Sequence, residues 1–341
     1  MSWFRAHSSF GVPGYSTANL VAVSRARPFG VRGFPITQQG KGESGATLGR
    51  VHHVKVTRLS NRGEMAVVTE RLAGTETADG ERLDLADVAR DGVAGLVAWQ
   101  PDLDRPAGYA QLIRGPVGWV LEFVVFVDPD PDREVETELV RAAMNVVERE
   151  GGGRVQLWVR DVRPEDDRMA ALTGLVKSRD LYQMRRPLPV DEDWELSTRP
   201  FRPGRDDEAW LAVNNRAFSR HPEQGGWDPA TLKGREAEPW FDPLGFLLHE
   251  SGDRLAGFCW TRIHLDHDPP LGEIYVIAVD PDFQGTGLGR ALVLAGLDYL
   301  SRRGITVGML YVDADNRPAV KLYTDLGFEI HHVDRAYIGE W

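Results

Sequence analysis

The stretch Ile274-Tyr275-Val276-Ile277-Ala278-Val279-Asp280-Pro281-Asp282-Phe283-Gln284-Gly285-Thr286-Gly287-Leu288-Gly289-Arg290 decides how this chain of 341 residues is read. Its apolar, β-branched opening predicts a buried strand, and Asp280-Pro281 ends it. The glycines that follow let the backbone curl close to a bound anion. A helical pattern then opens at Leu288 and runs to about Arg302. The first amides of such a helix lack intrahelical partners, and its dipole adds positive potential. Strand, glycine turn and helix together predict a phosphate cradle.

Three glycine-rich patterns compete for that cradle. The dinucleotide fingerprint G-x-G-x-x-G/A fails: counted from Gly285 its last position is Arg290, and from Gly287 it is Leu292. The triphosphate loop requires Gly-Lys-Ser/Thr, and no lysine follows here. The third pattern, Q/R-x-x-G-x-G/A, is met by Gln284, Gly287 and Gly289. It resembles the acetyl-CoA pyrophosphate loop of the Gcn5-related N-acetyltransferases. That resemblance assigns Gln284, Gly285, Thr286, Gly287, Leu288, Gly289 and Arg290 to the cofactor phosphates. It assigns the backbone at Ile277 and Val279 to the pantetheine arm, which pairs like an added strand. Ile277 and Val279 fit equally as core residues, because only their backbone atoms would bind.

Composition narrows the classes. Apolar residues make up 42% and charged residues 27%, the proportions of a soluble globular protein, and the length allows two domains. Cys259, the only cysteine, lies in the apolar run Leu255-Ala256-Gly257-Phe258-Cys259-Trp260. An intrachain disulfide is excluded, and a reducing, cytoplasmic setting is expected. No apolar run reaches the ~20 residues that span a bilayer, and the N-terminus lacks the apolar core of a secretory signal. Net charge is −11. Residues 1–50 carry Arg5, Arg25, Arg27, Arg32, Lys41 and Arg50 against Glu43, a net +5, which leaves −16 on the remainder. An acidic body argues against nucleic acid and suits a cationic or neutral substrate. No membrane partner and no metal site are expected, His331 and His332 being read as lacking partner ligands. The chain is expected to be a monomer.

Residues 1–50, rich in Gly, Ser, Pro and Arg without a sustained period, predict a disordered extension. Two halves follow, 51–190 and 195–341, joined through Pro187-Leu188-Pro189-Val190-Asp191-Glu192-Asp193. They look like divergent copies. The first runs from a strand ending in Asp128-Pro129, through a helix over 134–150, to a strand over 155–159. The second repeats that order with 272–281, the helix from Leu288, and 306–312. Past Asp128-Pro129 the first copy has no glycine and five acids, Asp130, Asp132, Glu134, Glu136 and Glu138. Such a turn repels a pyrophosphate, so the second half is expected to be catalytic and the first a degenerate scaffold. From glutamate to Asp-Pro there are six steps in the first copy (Glu122 to Asp128) and seven in the second (Glu273 to Asp280). The extra residue predicts a β-bulge that splays the strand from its neighbour.

Glu273, at the start of the decisive strand, is read as a general base or as a polar cap at a strand end. An α-amine of pKa ~7.7–8.0 is about one-tenth neutral at pH 7, so a weak base acting directly or through water suffices. Ala319, Leu322 and Tyr323 share a helical face that Gly327 closes. A tyrosine of pKa ~10 can protonate a departing thiolate of pKa ~8.5; a core role for Tyr323 competes. By its resemblance to the acetyltransferase pattern, Asn316 is expected to be a polar contact near the cofactor thiol or a helix cap. The polar segment from Asn214 through His221, Glu223 and Gln224 to Trp227 follows the first helix of its half. Its donors, acceptors and aromatic ring suit a polyhydroxylated ligand, or make an ordinary polar loop. Trp240 and Phe241 are placed to wall the same pocket.

Together, residues 214–227, Glu238-Pro239-Trp240-Phe241-Asp242-Pro243, 272–281 and 310–316 resemble the mycothiol synthase family of tandem acetyltransferases, over about residues 54–341. The resemblance implies two tandem Gcn5-related domains of α+β class, each a mixed, mostly antiparallel sheet flanked by helices. It implies acetyl-CoA as co-substrate and the cysteinyl amine of cysteinyl-glucosaminyl-inositol as acceptor. It further implies direct transfer in a ternary complex, with Glu273 as base and Tyr323 as acid. Competing readings are another amine acceptor, such as an aminoglycoside or a protein N-terminus, and a non-catalytic acetyl-CoA sensor. The 50-residue extension departs from the family pattern.

Overall fold

The computed structural model describes residues 54–59, 94–101, 103, 106–115, 118–126, 132–219 and 225–341. The basic N-terminal extension and the acidic turn 128–131 lie outside the described residues. Two compact units emerge. Among the described residues, one comprises those up to Ser178 together with Ala336–Trp341, and the other contains Arg179–Arg335.

In the first unit, β1 (Lys55–Leu59), β2 (Ala94–Trp99), β3 (Pro106–Gly115) and β4 (Gly118–Val125) pair antiparallel in sequence order. β5 (Arg154–Val159) runs parallel to β4. Helices α1 (Glu134–Arg149) and α2 (Pro164–Leu172) belong to the same unit. α1 buries Val135, Leu139, Val140, Ala143, Met144, Val146 and Val147, an apolar stripe at helical spacing, in a core with Leu96, Leu112 and Leu121. Burying each such aliphatic side chain stabilises by about 1.5–3 kcal/mol.

The second unit contains β6 (Val176–Pro187) from Arg179 on, β7 (Arg199–Pro200), α3 (Asp207–Ala217), α4 (Pro229–Glu236), β8 (Phe246–Ser251) and β9 (Arg254–His264). It continues with β10 (Leu271–Val279), α5 (Leu288–Arg302), β11 (Val307–Asp313), α6 (Arg317–Asp325) and β12 (Glu329–Glu340) through Arg335. Strand order is β6-β11-β10-β9-β8-β7, antiparallel except for β10 with β11. One core packs Leu292, Leu297 and Leu300 of α5 with Ile274 and Leu310. The other is aromatic, with Trp210, Trp227, Phe246, Phe258 and Trp260. At Gly296 a Cβ would stand 2.5 Å from Cys259 Sγ and 2.8 Å from Ile274 Cδ1, so only glycine lets α5 approach the sheet this closely.

The predicted bulge is present. Pairing of β10 with β9 shifts between Ile274 and Val276, which makes Tyr275 the extra residue. In the first unit β3 and β4 pair from Gly108↔Val125 to Gly115↔Gly118 without a shift. The predicted link from bulge to splay does not hold. β10 pairs with β11 only over Leu271–Ile274, but bulge-free β4 likewise pairs with β5 only over Trp119–Leu121. The bulge instead preserves a face. Val124 lies opposite Tyr109, and two residues upstream Glu122 lies opposite Gln111. Val276 lies opposite Trp260, and three residues upstream Glu273 lies opposite Arg262. One extra residue would turn Glu273 to the other side of its sheet, and the bulge absorbs it.

Candidate active site

The glycine loop is anchored at its strand end. Asp280, buried, accepts a hydrogen bond from the amide of Asp282 (3.0 Å) and pairs with Arg216 (3.2 Å) and Arg254 (3.6 Å). A single 3₁₀ turn, Pro281–Phe283, follows. Gln284 Nε2 then donates to the Val279 carbonyl (3.2 Å), and Thr286 Oγ1 donates to the Phe283 carbonyl (2.8 Å). Gly285 and Gly287 adopt φ of 77° and 87°, the left-handed region that costs other residues about 1–2 kcal/mol. A Cβ at either would meet nothing within 4 Å, so glycine serves the dihedral and leaves the cradle open. Gly287 caps α5, whose first residues are Leu288, Gly289 and Arg290. In the first unit the corresponding left-handed cap is Arg133 (φ 53°), a buried guanidinium 3.0 Å from Glu136 and 3.5 Å from Asp166. An ion-paired side chain stands where the second unit keeps a bare backbone.

Past Ile274 the edge of β10 toward β11 is released from strand pairing, while Ile277 and Val279 stay paired to Cys259 and Gly257 of β9. Ile277, Val279, Leu288 and Tyr323 border one apolar core. Tyr323 packs edge-on against Phe328, 5.8 Å between ring centres. Burial, with a smaller contribution from the Cys259 thiol, pushes the Tyr323 hydroxyl above the usual tyrosine range, so it holds its proton more tightly than a free tyrosine does. Asn316 caps α6, its Oδ1 accepting from the Ala319 amide (3.3 Å).

Glu273 faces the opposite side, toward the aromatic core to which Tyr275 and Val276 belong. Only 5% of it is exposed, and its Oε2 lies 2.8 Å from His264 Nε2. Across the ladder, Arg262 lays its guanidinium over the Trp240 ring at 4.6 Å, and Trp240 packs edge-on against Tyr275 at 4.9 Å. Asn214 is inside α3 rather than after it, since the helix continues to Ala217. Asparagine is a poor helix former, but burial of Trp210, Leu211 and Val213 of the same helix in the aromatic core outweighs that preference. Trp227 is buried edge-on against Trp210 (5.6 Å), and Asn215 grips its backbone at 2.8 and 2.9 Å. His221, Glu223 and Gln224 lie outside the described residues.

Sequence reasoning missed His264 and Arg254, and gave no partners to Asn215 and Arg216 within the segment 214–227, because such partners follow from strand register and loop path rather than from spacing. His332, read as lacking a partner, stands 3.3 Å from Asp334. His264, Asp266 and His267 offer ligand atoms within 4.8 Å of one another, a grouping able to take a cation. Among the described residues no helix is long and apolar enough to cross a membrane.

A mixed sheet with a parallel pair that parts midway, followed by an open glycine cradle on a helix, defines an acetyltransferase of the Gcn5-related class. Residues 208–328 match the Acetyltransferase (GNAT) family. Solved structures with this fold include a GCN5-related N-acetyltransferase from Sphaerobacter thermophilus (TM-score 0.61, 21% identity, 84% of this chain and 95% of that one). A tandem GNAT protein from the clavulanic acid biosynthesis pathway is similar too (TM-score 0.54, 15% identity, 84% and 98% covered). More particularly, the chain belongs to the mycothiol acetyltransferase family. It is 42% identical to the mycothiol acetyltransferase of Nocardia farcinica over 296 residues, 79% of this chain and 96% of that one. It is 41% identical to that of Acidimicrobium ferrooxidans over 285 residues, 80% and 91%. The match to that of Thermobispora bispora is 51% identical over 195 residues, spanning 55% of this chain and 66% of the relative.

Proposed function

We propose that the second unit transfers the acetyl group of acetyl-CoA to the cysteinyl amine of cysteinyl-glucosaminyl-inositol, the last step of mycothiol biosynthesis. The observation that carries this reading is the build of β10. The strand ends in an open, anchored glycine cradle and begins at a buried carboxylate, and its edge is released from β11 in between. The cradle suits the cofactor pyrophosphate, with Gln284 to Arg290 around it and Asn316 near the thiol end. The released edge from Ile277 to Val279 suits the pantetheine arm. Relatives named mycothiol acetyltransferase, matched over most of their length, favour this acceptor over an aminoglycoside or a protein N-terminus.

Transfer is direct. The acceptor nitrogen bonds to the thioester carbonyl carbon, and the carbon–sulfur bond breaks. Glu273, directly or through a water, takes the proton the amine loses. Tyr323 gives its hydroxyl proton to the departing sulfur. A backbone amide of the released edge polarises the carbonyl oxygen. His221, Glu223, Gln224 and Trp227 are the acceptor contacts of this reading, with fully buried Asn214 supporting them from inside α3. The first unit, with Arg133 ion-paired at its helix cap, serves as scaffold rather than as a second catalytic centre.

Thiol release from acetyl-CoA tests the reading, with cysteinyl-glucosaminyl-inositol as acceptor beside glucosaminyl-inositol lacking the cysteine. Rapid release with the first alone is expected. Release with both, or with neither despite tight acetyl-CoA binding, overturns the assignment of the acceptor.

A further inference from the structure

We infer that His264 is a positioning residue for Glu273, holding one carboxylate oxygen so that the other meets the acceptor amine. The inference rests on the reading of Glu273 as base. His264 Nε2 lies 2.8 Å from Glu273 Oε2, with the two residues 8% and 5% exposed. A carboxylate acting as base only accepts, so in this arrangement Nε2 is the donor and proton uptake from the amine falls to Oε1. Both residues stand on paired strands. His264 ends β9 opposite Leu271, two residues before Glu273 on the same face of β10. Ladder register therefore fixes the pair, and strand-borne groups hold a catalytic geometry more tightly than loop-borne ones.

The first unit supplies an internal comparison. Its Glu122 occupies the register position of Glu273, opposite Gln111. Two residues further along each ladder, Val120 lies opposite Ile113, where the second unit has Leu271 opposite His264. The copy with an ion-paired arginine in place of the open cradle thus keeps the carboxyl but carries an aliphatic side chain at the histidine position. A histidine needed only for packing has no reason to follow the cradle in this way. A histidine that orients a working base does.

The test is a double-mutant cycle on the full chain. His264→Phe keeps ring volume but removes the donor, and His264→Gln keeps an N–H donor that cannot carry a charge. Expected is a fall in kcat of about 10–100-fold for H264F, the scale of loss when a partner that orients a metal ligand is removed, with KM for acetyl-CoA unchanged. H264Q recovers most of the loss. In a Glu273→Gln background H264F costs nothing further, because it acts through the carboxylate. Wild-type kcat in H264F, a loss in H264Q as large as in H264F, or a loss that persists undiminished beside E273Q overturns the inference. Full activity of E273Q itself would instead overturn the base assignment.

Discussion

Glu122 and Glu273 occupy the same register position in the two units, directly across the ladder from Gln111 and Arg262. Their surroundings differ. Glu122 receives a hydrogen bond from Gln111 Nε2 at 2.6 Å and has no cation opposite it in the ladder, whereas Glu273 lies beside His264. Burial pushes the Glu122 carboxyl up to about 7, outweighing the opposing pull of the Gln111 hydrogen bond. The native state thus holds a proton that the unfolded chain, with its ordinary value of 4.5, gives up. This stabilisation is full below the unfolded value and is lost as pH rises through the interval to about 7. Its size is of order 1–3 kcal/mol. Glu122→Gln keeps the shape and removes the titration. Its melting temperature should match wild type near pH 4.5 and exceed it by about 2–12 °C at pH 8, at about 2–4 °C for each kcal/mol. A gap between the two proteins that does not change with pH would remove Glu122 as the titrating group.

Replacing Glu273 by Gln removes the proposed base without changing size. kcat should fall by about 10²–10⁴-fold, while the Kd for acetyl-CoA, measured by calorimetry, stays at the wild-type value. Unchanged turnover would mean that the amine loses its proton elsewhere.

Tyr323→Phe deletes one oxygen from a buried ring that packs on Phe328. The core contacts remain, so melting should shift little. Turnover with acetyl-CoA should fall by about 10²-fold or more. The loss should shrink with an acyl donor whose leaving thiol is more acidic, since such a thiolate needs less help from an acid. An equal loss with both donors would count against Tyr323 as the proton source.

Two glycines separate cradle from core. Gly287→Ala strains a φ of 87° at an exposed turn and should raise the Kd for acetyl-CoA, with about 1–2 kcal/mol of local strain. Gly296→Ala places a methyl 2.5 Å from Cys259 Sγ, overpacking that costs about 1–3 kcal/mol, and should lower the melting temperature without touching acetyl-CoA affinity. Parallel melting and calorimetry distinguish the two effects. The pattern reversed would misplace the cradle.

The sequence by itself determined the second unit's central motif: an apolar strand, a left-handed glycine turn and a helix whose predicted extent matches Leu288–Arg302. These are local properties. A positive φ demands glycine at 285 and 287, and helical periodicity marks α5. The duplication and a bulge between Glu273 and Asp280 were legible too, because a parity change between two glutamate-to-Asp-Pro spacings must be absorbed somewhere; the ladder places it at Tyr275. α3 runs past Asn214 to Ala217, because core packing of Trp210, Leu211 and Val213 outweighs the weak helix propensity of asparagine. Only the tertiary structure decided what stands beside what. His264 meets Glu273 across nine residues because the β9–β10 ladder folds them together. Arg216 and Arg254 reach Asp280 from a helix and a strand that the sequence alone does not align. Cross-strand partners depend on register, and register is set by how whole faces bury rather than by any residue's own preference.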